Sequence, residues 1–350
     1  MHDNAILYFG LFSLGVLAIL LIDLLVIGRH SHVVSFKESL IWTSVWVSLA
    51  MLFYIFLRYH AEKLHGVTSM EHLISVTSKY APSLVLPTDN FVAALDLYRK
   101  NLSMEFITGY LVEYSLSIDN IFVIMMILSA FAVSEKYYKS VLFWGILGAI
   151  VLRCIFIFAG SALIQRFEWI LLLFGAFLIY SGIKIYLERN KEEKTEPQNH
   201  WLVKWLSAHL PVYKRYVTGH FFIRFKRKLY ITPLFIVLMM VEFTDLIFAF
   251  DSIPAIFAIT RDPFIVFFSN IFAIIGLRSL FFLLMRVVTL FHYLKVGVAF
   301  LLVFVGIKLL AHSWLEHIGF KTSYSLIIIL SILALSILAS VLFPRKEGAA

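Results

Sequence analysis

Apolar positions along this chain do not alternate; they run on. Stretches of about 20 residues with few charges recur from one end to the other, each long enough to cross the hydrocarbon core of a bilayer as a helix. In lipid, backbone N–H and C=O groups find no water, so an unbroken apolar run has to satisfy them internally. The pattern predicts nine helices, at roughly 5–27, 39–57, 102–131, 138–163, 167–187, 230–258, 263–287, 290–310 and 322–343. The first follows an acidic start containing Asp3, with no basic region before it and no small-residue cleavage site after it. It therefore reads as a retained helix rather than a signal peptide. The expected fold is an all-α polytopic membrane protein.

Composition agrees. Of 350 residues, 61% are hydrophobic and only 15% charged, too little polar surface for a soluble domain of this size. The net charge of +8 does not point to nucleic acid, because the basic residues collect in the connections between apolar runs. The single cysteine, Cys154, lies within an apolar run and excludes both a disulfide framework and a cysteine metal site.

Charge in the connections predicts orientation. Residues 188–229 carry Arg189, Lys191, Lys194, Lys204, Lys214, Arg215, Arg224, Lys226, Arg227 and Lys228, a density that belongs in the cytoplasm. Counting spans from there puts the 28–38 and 132–137 loops and the C-terminus inside, and the N-terminus, the Arg261–Pro263 turn and 311–321 outside. The mixed-charge connection 59–101 is expected outside.

The chain also repeats itself. Glu113, Asp119 and SIDNIFVIM align with Asp245, Asp251 and AFDSIPAIF at a constant offset of 132. GAIVLRCIFIF then matches FAIIGLRSLFF, setting Arg153 against Arg278, and SGIKIY matches VGIKLL, setting Lys184 against Lys308. Each copy holds three helices, an odd number, so the second must be inverted relative to the first, an arrangement that places a transporter's site where the repeats meet. The organisation expected is 1–101 (two helices and an external connection), 102–187 (first repeat), 188–229 (basic loop), 230–310 (second repeat) and 311–350 (last helix and tail).

The acids of the repeats are the candidate chemistry. On the third helix Glu113, Ser117 and Asn120 share a face, with Asp119 one position aside. On the sixth, Glu242, Asp245 and Ser252 share a face and Asp251 lies aside in the same way. The matched acids are six residues apart, about 9 Å along an ideal helix. One small cation cannot bridge that span unless the helix breaks or the ligands come from different helices. Pro254 removes a backbone donor three residues after Asp251, which favours a break there. Each carboxylate at mid-membrane costs about 3 kcal/mol on insertion scales. Arg153 and Arg278 cannot neutralise all five of Glu113, Asp119, Glu242, Asp245 and Asp251, so structural pairing alone leaves a surplus of acid that protons or a bound cation must balance.

Carboxylate, amide and hydroxyl oxygens suit Mg²⁺, Ca²⁺ or Mn²⁺. Met125, Met126, Met239 and Met240 adjoin the acids; a thioether would favour manganese over calcium, although methionine in an apolar helix is ordinarily packing. Asp23 either joins the pathway or faces headgroups, and Asn270 is either a ligand or an interhelical hydrogen bond. Lys184 and Lys308 sit near helix ends, where snorkelling is the default. The histidines lack zinc-site spacing, and no Walker-type loop, nucleophile elbow or HExxH is present.

EYSLSIDNIFV at 113–123, GILGAIVLR at 145–153, FAGSALI at 158–164, VEFTDLIFAFDSIPAIFAITRDPFIVFFSNIFAIIGLRSLFFLL at 241–284 and LKVGVAFLLVFVGIKLL at 294–310 resemble the TerC family of bacterial membrane proteins, its Alx-like members in particular. The resemblance covers nearly the whole chain, departing around 65–90, where the chain has extra length. It implies an inner-membrane metal-ion exporter, most often described for manganese, with the family's important carboxylates carried over to Glu113, Asp119, Glu242, Asp245 and Asp251. The expectation is a non-enzymatic secondary transporter that exports Mn²⁺ in exchange for protons, Mn²⁺ being cargo and no cofactor being required. Its partners are the bilayer, the cation and protons, not nucleic acid, with a homo-oligomer or other membrane proteins left open. The competing reading is a scaffold or assembly factor in metal or tellurite stress resistance, which has no need of surplus buried acid.

Overall fold

The computed structural model describes residues 35–167, 169–188, 201–213, 219–225, 227–287, 293–311, 314, 315, 320 and 322–343, together with Gly15. The predicted first span and Asp23 lie outside the described residues. The elements are α1 (Phe36–His60), α2 (Glu62–His65), α3 (Met70–Tyr80), α4 (Phe91–Ala130), α5 (Tyr138–Arg166), α6 (Ile170–Glu188), α7 (Trp201–His209), β1 (Phe222–Phe225), β2 (Lys228–Ile231), α8 (Pro233–Phe257), α9 (Pro263–Val287), α10 (Leu294–Leu310) and α11 (Thr322–Leu342). Seven helices among the described residues are long and apolar enough to cross a membrane, and Val296–Leu310 adds a shorter apolar one. The chain is an all-α polytopic membrane protein.

Two helix starts and one expected break differ from expectation for local reasons. Helix α4 starts 11 residues before the predicted span, where the Asn90 side chain accepts from the Ala93 N–H and caps it. At 40 residues it is about 60 Å long, twice the hydrocarbon thickness, so its polar first turns project beyond the apolar run. Helix α8 starts at Pro233 rather than at 230, because residues 228–231 pair antiparallel with 222–225 in a hairpin (Phe222 opposite Ile231, Phe225 opposite Lys228). Finally, α8 runs unbroken through Pro254. The proline falls within the last turn, where its missing N–H removes one bond, and Ala258 closes the helix by donating to the Pro254 carbonyl.

Helix α9 is the axis of the molecule. Of its most apolar stretch 94% is buried, against 17% for α11, and it packs on α1, α4 and α5. Each helix of the first trio (α4, α5, α6) also packs on its counterpart in the second (α8, α9, α10). The α6–α10 crossing is closest: a Cβ at Gly306 would sit 2.7 Å from the Gly175 carbonyl, and one at Gly182 would sit 2.6 Å from the Ala299 carbonyl. Small residues let the backbones touch there.

The 59–101 connection is folded rather than looping. Leu64, Val67, Leu73, Val76 and Tyr98 bury themselves with Phe53 of α1 and Phe268 of α9 in one apolar cluster. This far end of the bundle is closed by α2 and α3. The opposite, basic end carries α7 and the hairpin, with Trp201 and Trp205 of α7 exposed beside Lys204 in the manner of an interfacial helix.

Candidate functional site

Midway along the bundle, four helices bring polar groups together. Glu113 and Asn120 come from α4, Arg153 from α5, Asp245 from α8 and Asn270 from α9, and every one is at least 96% buried. The Arg153 guanidinium is ion-paired with Glu113. The nitrogen paired with Glu113, Nη1, also donates to Asn270 Oδ1 at 2.9 Å, while Nη2 lies 3.4 Å from Asp245 Oδ1. Asn120 Nδ2 donates to the same Asp245 oxygen at 2.7 Å, while Asn270 anchors itself to the Val266 carbonyl. The candidate ligands that one helix could not bring together are assembled by crossing α4 over α8.

One guanidinium serves two carboxylates here, so the trio retains a negative charge where its burial is costly. Several oxygens also have no hydrogen-bond partner among the described residues: Glu113 Oε2, Asn120 Oδ1, Asp245 Oδ2 and Ser252 Oγ. Buried acceptors of this kind carry a desolvation penalty unless something donates to them or coordinates them. A narrow cleft reaches Asn120 and Asp245 between Leu142, Gly145 and Ala149 of α5 and Val241 of α8, on the side of the bundle nearer the basic end.

The remaining predicted residues divide. Glu242, one turn from Asp245, is half-buried and its carboxylate lies over Gly148, where a Cβ would collide with it. Ser117 and Ser252 are buried on α4 and α8. Asp119 and Asp251 lie on those same two helices, but their side chains are outside the description. Arg278 lines a separate cleft at the basic end with Glu38, Trp42 and Lys139. Of the methionines, Met240 is buried in the apolar core. Among the described residues no group of three or more His, Cys, Asp or Glu side chains is disposed to hold a metal ion, so a cation here would be held by a mixed set in which amide and hydroxyl oxygens join the carboxylates.

A second polar cluster, at the far end, escaped the reading of the sequence. Glu105 of α4 accepts from Thr260 Oγ1 at 2.6 Å and from Asn101 Nδ2 at 2.7 Å. His65 Nε2 and Asp262 Oδ2 are 2.6 Å apart, and Asp262 caps α9 through the Phe264 N–H. The available signals were an acid eight residues before Glu113 in the same apolar run, and an Asp-Pro helix start. Outside the spans, Glu62 is partly buried, which works against its charge, but the Arg99 hydrogen bond and charge outweigh this and hold its carboxyl below the usual range.

No solved structure matches this chain. It is 42% identical over 330 residues to an uncharacterized membrane protein of Myxococcus xanthus, covering 94% of this chain and 90% of that one. It is 43% identical over 305 residues to Alx of Salmonella typhi, named as a candidate membrane-bound redox modulator, covering 87% and 85%. A Rickettsia bellii membrane protein is 37% identical over 327 residues, covering 93% and 94%. The model of the integral membrane protein TerC family matches residues 98–348, which include every member of the midplane cluster. The chain belongs to the TerC family of integral membrane proteins.

Proposed function

We propose that this protein exports a divalent metal ion, Mn²⁺ first, in exchange for protons through the Glu113–Asn120–Asp245 site. The observation that carries the reading is the set of buried oxygens lacking hydrogen-bond partners on the two crossing helices α4 and α8, beside two carboxylates that share one arginine. Hard oxygen donors of this kind suit Mn²⁺, Mg²⁺ and Ca²⁺. Manganese is placed first on the resemblance to the TerC family.

In this reading Arg153 balances Glu113 and Asp245 when no cation is bound, and gives way to it when one arrives. Cation and protons compete for one set of oxygens: burial favours the protonated carboxyl, and a cation the ionised one. Proton entry from the far side then displaces metal in that direction. The cleft reaching Asn120 and Asp245 from the basic end supports loading from the cytoplasm, if the basic connection sets orientation as expected. The pairing of each helix of the first trio with its counterpart supports an inverted repeat whose halves rock about this site. Bacterial inner membrane, with the C-terminus inside, is the matching location.

The test is metal uptake into inverted bacterial membrane vesicles carrying the protein, with Mn²⁺, Ca²⁺, Mg²⁺ and Zn²⁺ compared. Saturable Mn²⁺ uptake above that of vesicles lacking the protein is expected, with Zn²⁺ the poorest substrate. No uptake of any of the four would leave the scaffold reading.

A further inference from the structure

The far-end cluster has features that neither packing nor the midplane site uses. Glu105 is 95% buried in the membrane-spanning α4, and the groups that hydrogen-bond to it, Thr260 and Asn101, are neutral. The Tyr98 hydroxyl, seven residues before Glu105 on the same helix face and 98% buried, has no hydrogen-bond partner among the described residues. Around Glu105 stand Asn101 of its own helix and Thr260 and Asp262 at the entry to α9, with Lys308 of α10 the cation whose charge it feels without an ion pair among the described residues. His65 of α2 holds Asp262 and stacks on Tyr80 of α3.

Glu105 is eight residues from Glu113, about 12 Å along the helix axis. Between them on α9 stands buried Ser269, whose Oγ would be 3.1 Å from a Cβ at Gly109 and donates to the Val266 carbonyl, and Asn270 follows, already bonded to Arg153. Carboxyl and hydroxyl groups are the kinds that can bind or pass on a proton, and among the described residues no group of His, Cys, Asp or Glu here is disposed to hold a metal ion. The outer end of this α4–α9 seam is covered by the folded 59–101 segment, beside the exposed Arg58–Asp96 pair.

Building on the transport reading above, we propose that Glu105, tuned by Thr260, Asp262, His65 and Tyr98, is the external proton site of this protein, taking a proton from the far side and delivering it along the α4–α9 seam to the metal site. The step is a proton transfer alone: Glu105 carboxylate gains H⁺ from external water and loses it inward, with Thr260 and Asn101 donating to the ionised form. A buried carboxylate that is protonated and deprotonated in each cycle needs donors that do not lock it into an ion pair, and these two neutral groups supply them.

The experiment uses inverted vesicles with the full-length protein and two readouts: Mn²⁺ uptake driven by an acid lumen, and labelled-for-unlabelled Mn²⁺ exchange with no pH gradient, which needs no net proton movement. For Glu105→Gln, gradient-driven uptake should fall about a hundredfold while exchange stays within about twofold of wild type, and exchange doubles as the folding control. For Thr260→Val, which leaves the carboxyl but removes a donor to its ionised form, the lumenal pH giving half-maximal uptake should rise by about one unit. Equal loss of both readouts in Glu105→Gln, unchanged uptake in it, or an unmoved midpoint in Thr260→Val would each overturn the proposal. Wild-type uptake indifferent to the gradient overturns the proton site and leaves metal transport standing; a wild type that moves no metal overturns both.

Discussion

Arg153 links the two halves of the midplane site. It stands between acids on α4 and α8 and holds Asn270 on α9, so one side chain ties three helices together. Removing it leaves Glu113 and Asp245 facing each other in low dielectric without a counter-charge, an effect of about 3–5 kcal/mol when a buried pair is broken on one side. Arg153→Ala should therefore lower both the yield of inserted protein and its unfolding temperature in detergent; wild-type values for both would show that the pair does not stabilise the fold. Glu113, Asn120, Asp245 and Arg153 were legible in the sequence because charge within apolar helices is conspicuous and the repeat matched one copy to the other. Glu105 was not, since it falls three residues inside the predicted helix start at 102, where an acid reads as facing headgroups. His65 escaped because its partner is almost 200 positions away, and no local pattern encodes that pairing.

Among elements, the apolar runs located eight helices within a few residues at most ends, because hydrocarbon thickness sets their length. Hydropathy alone missed what lies outside the hydrocarbon. The first turns of α4 are amphipathic and capped by Asn90, and the 59–101 connection buries Leu64, Leu73 and Tyr98 although charges interrupt it. Pro254 is the opposite case: a breaker by type, it is tolerated because it falls in the last turn of α8. Nor does periodicity reveal how close two helices approach, although the matched glycines of SGIKIY and VGIKLL were a hint. At the α6–α10 crossing Gly306 leaves no room, since a Cβ would meet backbone rather than a movable side chain. Gly306→Ala should destabilise the protein by about 1–3 kcal/mol, measured as a lower midpoint of thermal unfolding in detergent. An unchanged midpoint would mean that the two helices separate without loss.

At the scale of the whole molecule, two helix trios pair member by member, and α4 and α8 cross where their polar faces meet. The crossing resolves the difficulty posed by acids six residues apart on one helix: Asp245 is reached by Asn120 from the other trio instead of by its own neighbour. In the proposed transport reading, such an arrangement would serve bistability, because two similar halves would have two equivalent ways to tilt. The central claim is that metal and protons exchange at these carboxylates. Asp245→Asn leaves Arg153 paired with Glu113 and so keeps the fold, and Asp119→Asn and Asp251→Asn preserve size while removing charge. Mn²⁺ flux in inverted vesicles, followed for wild type and the three variants over a series of imposed pH gradients, is the most direct measurement. Wild-type uptake should rise as the lumen is made more acid and weaken as it is made alkaline, and uptake by each correctly inserted variant should fall to the level of empty vesicles. Full transport by all three variants, or wild-type flux indifferent to the gradient, would contradict the account.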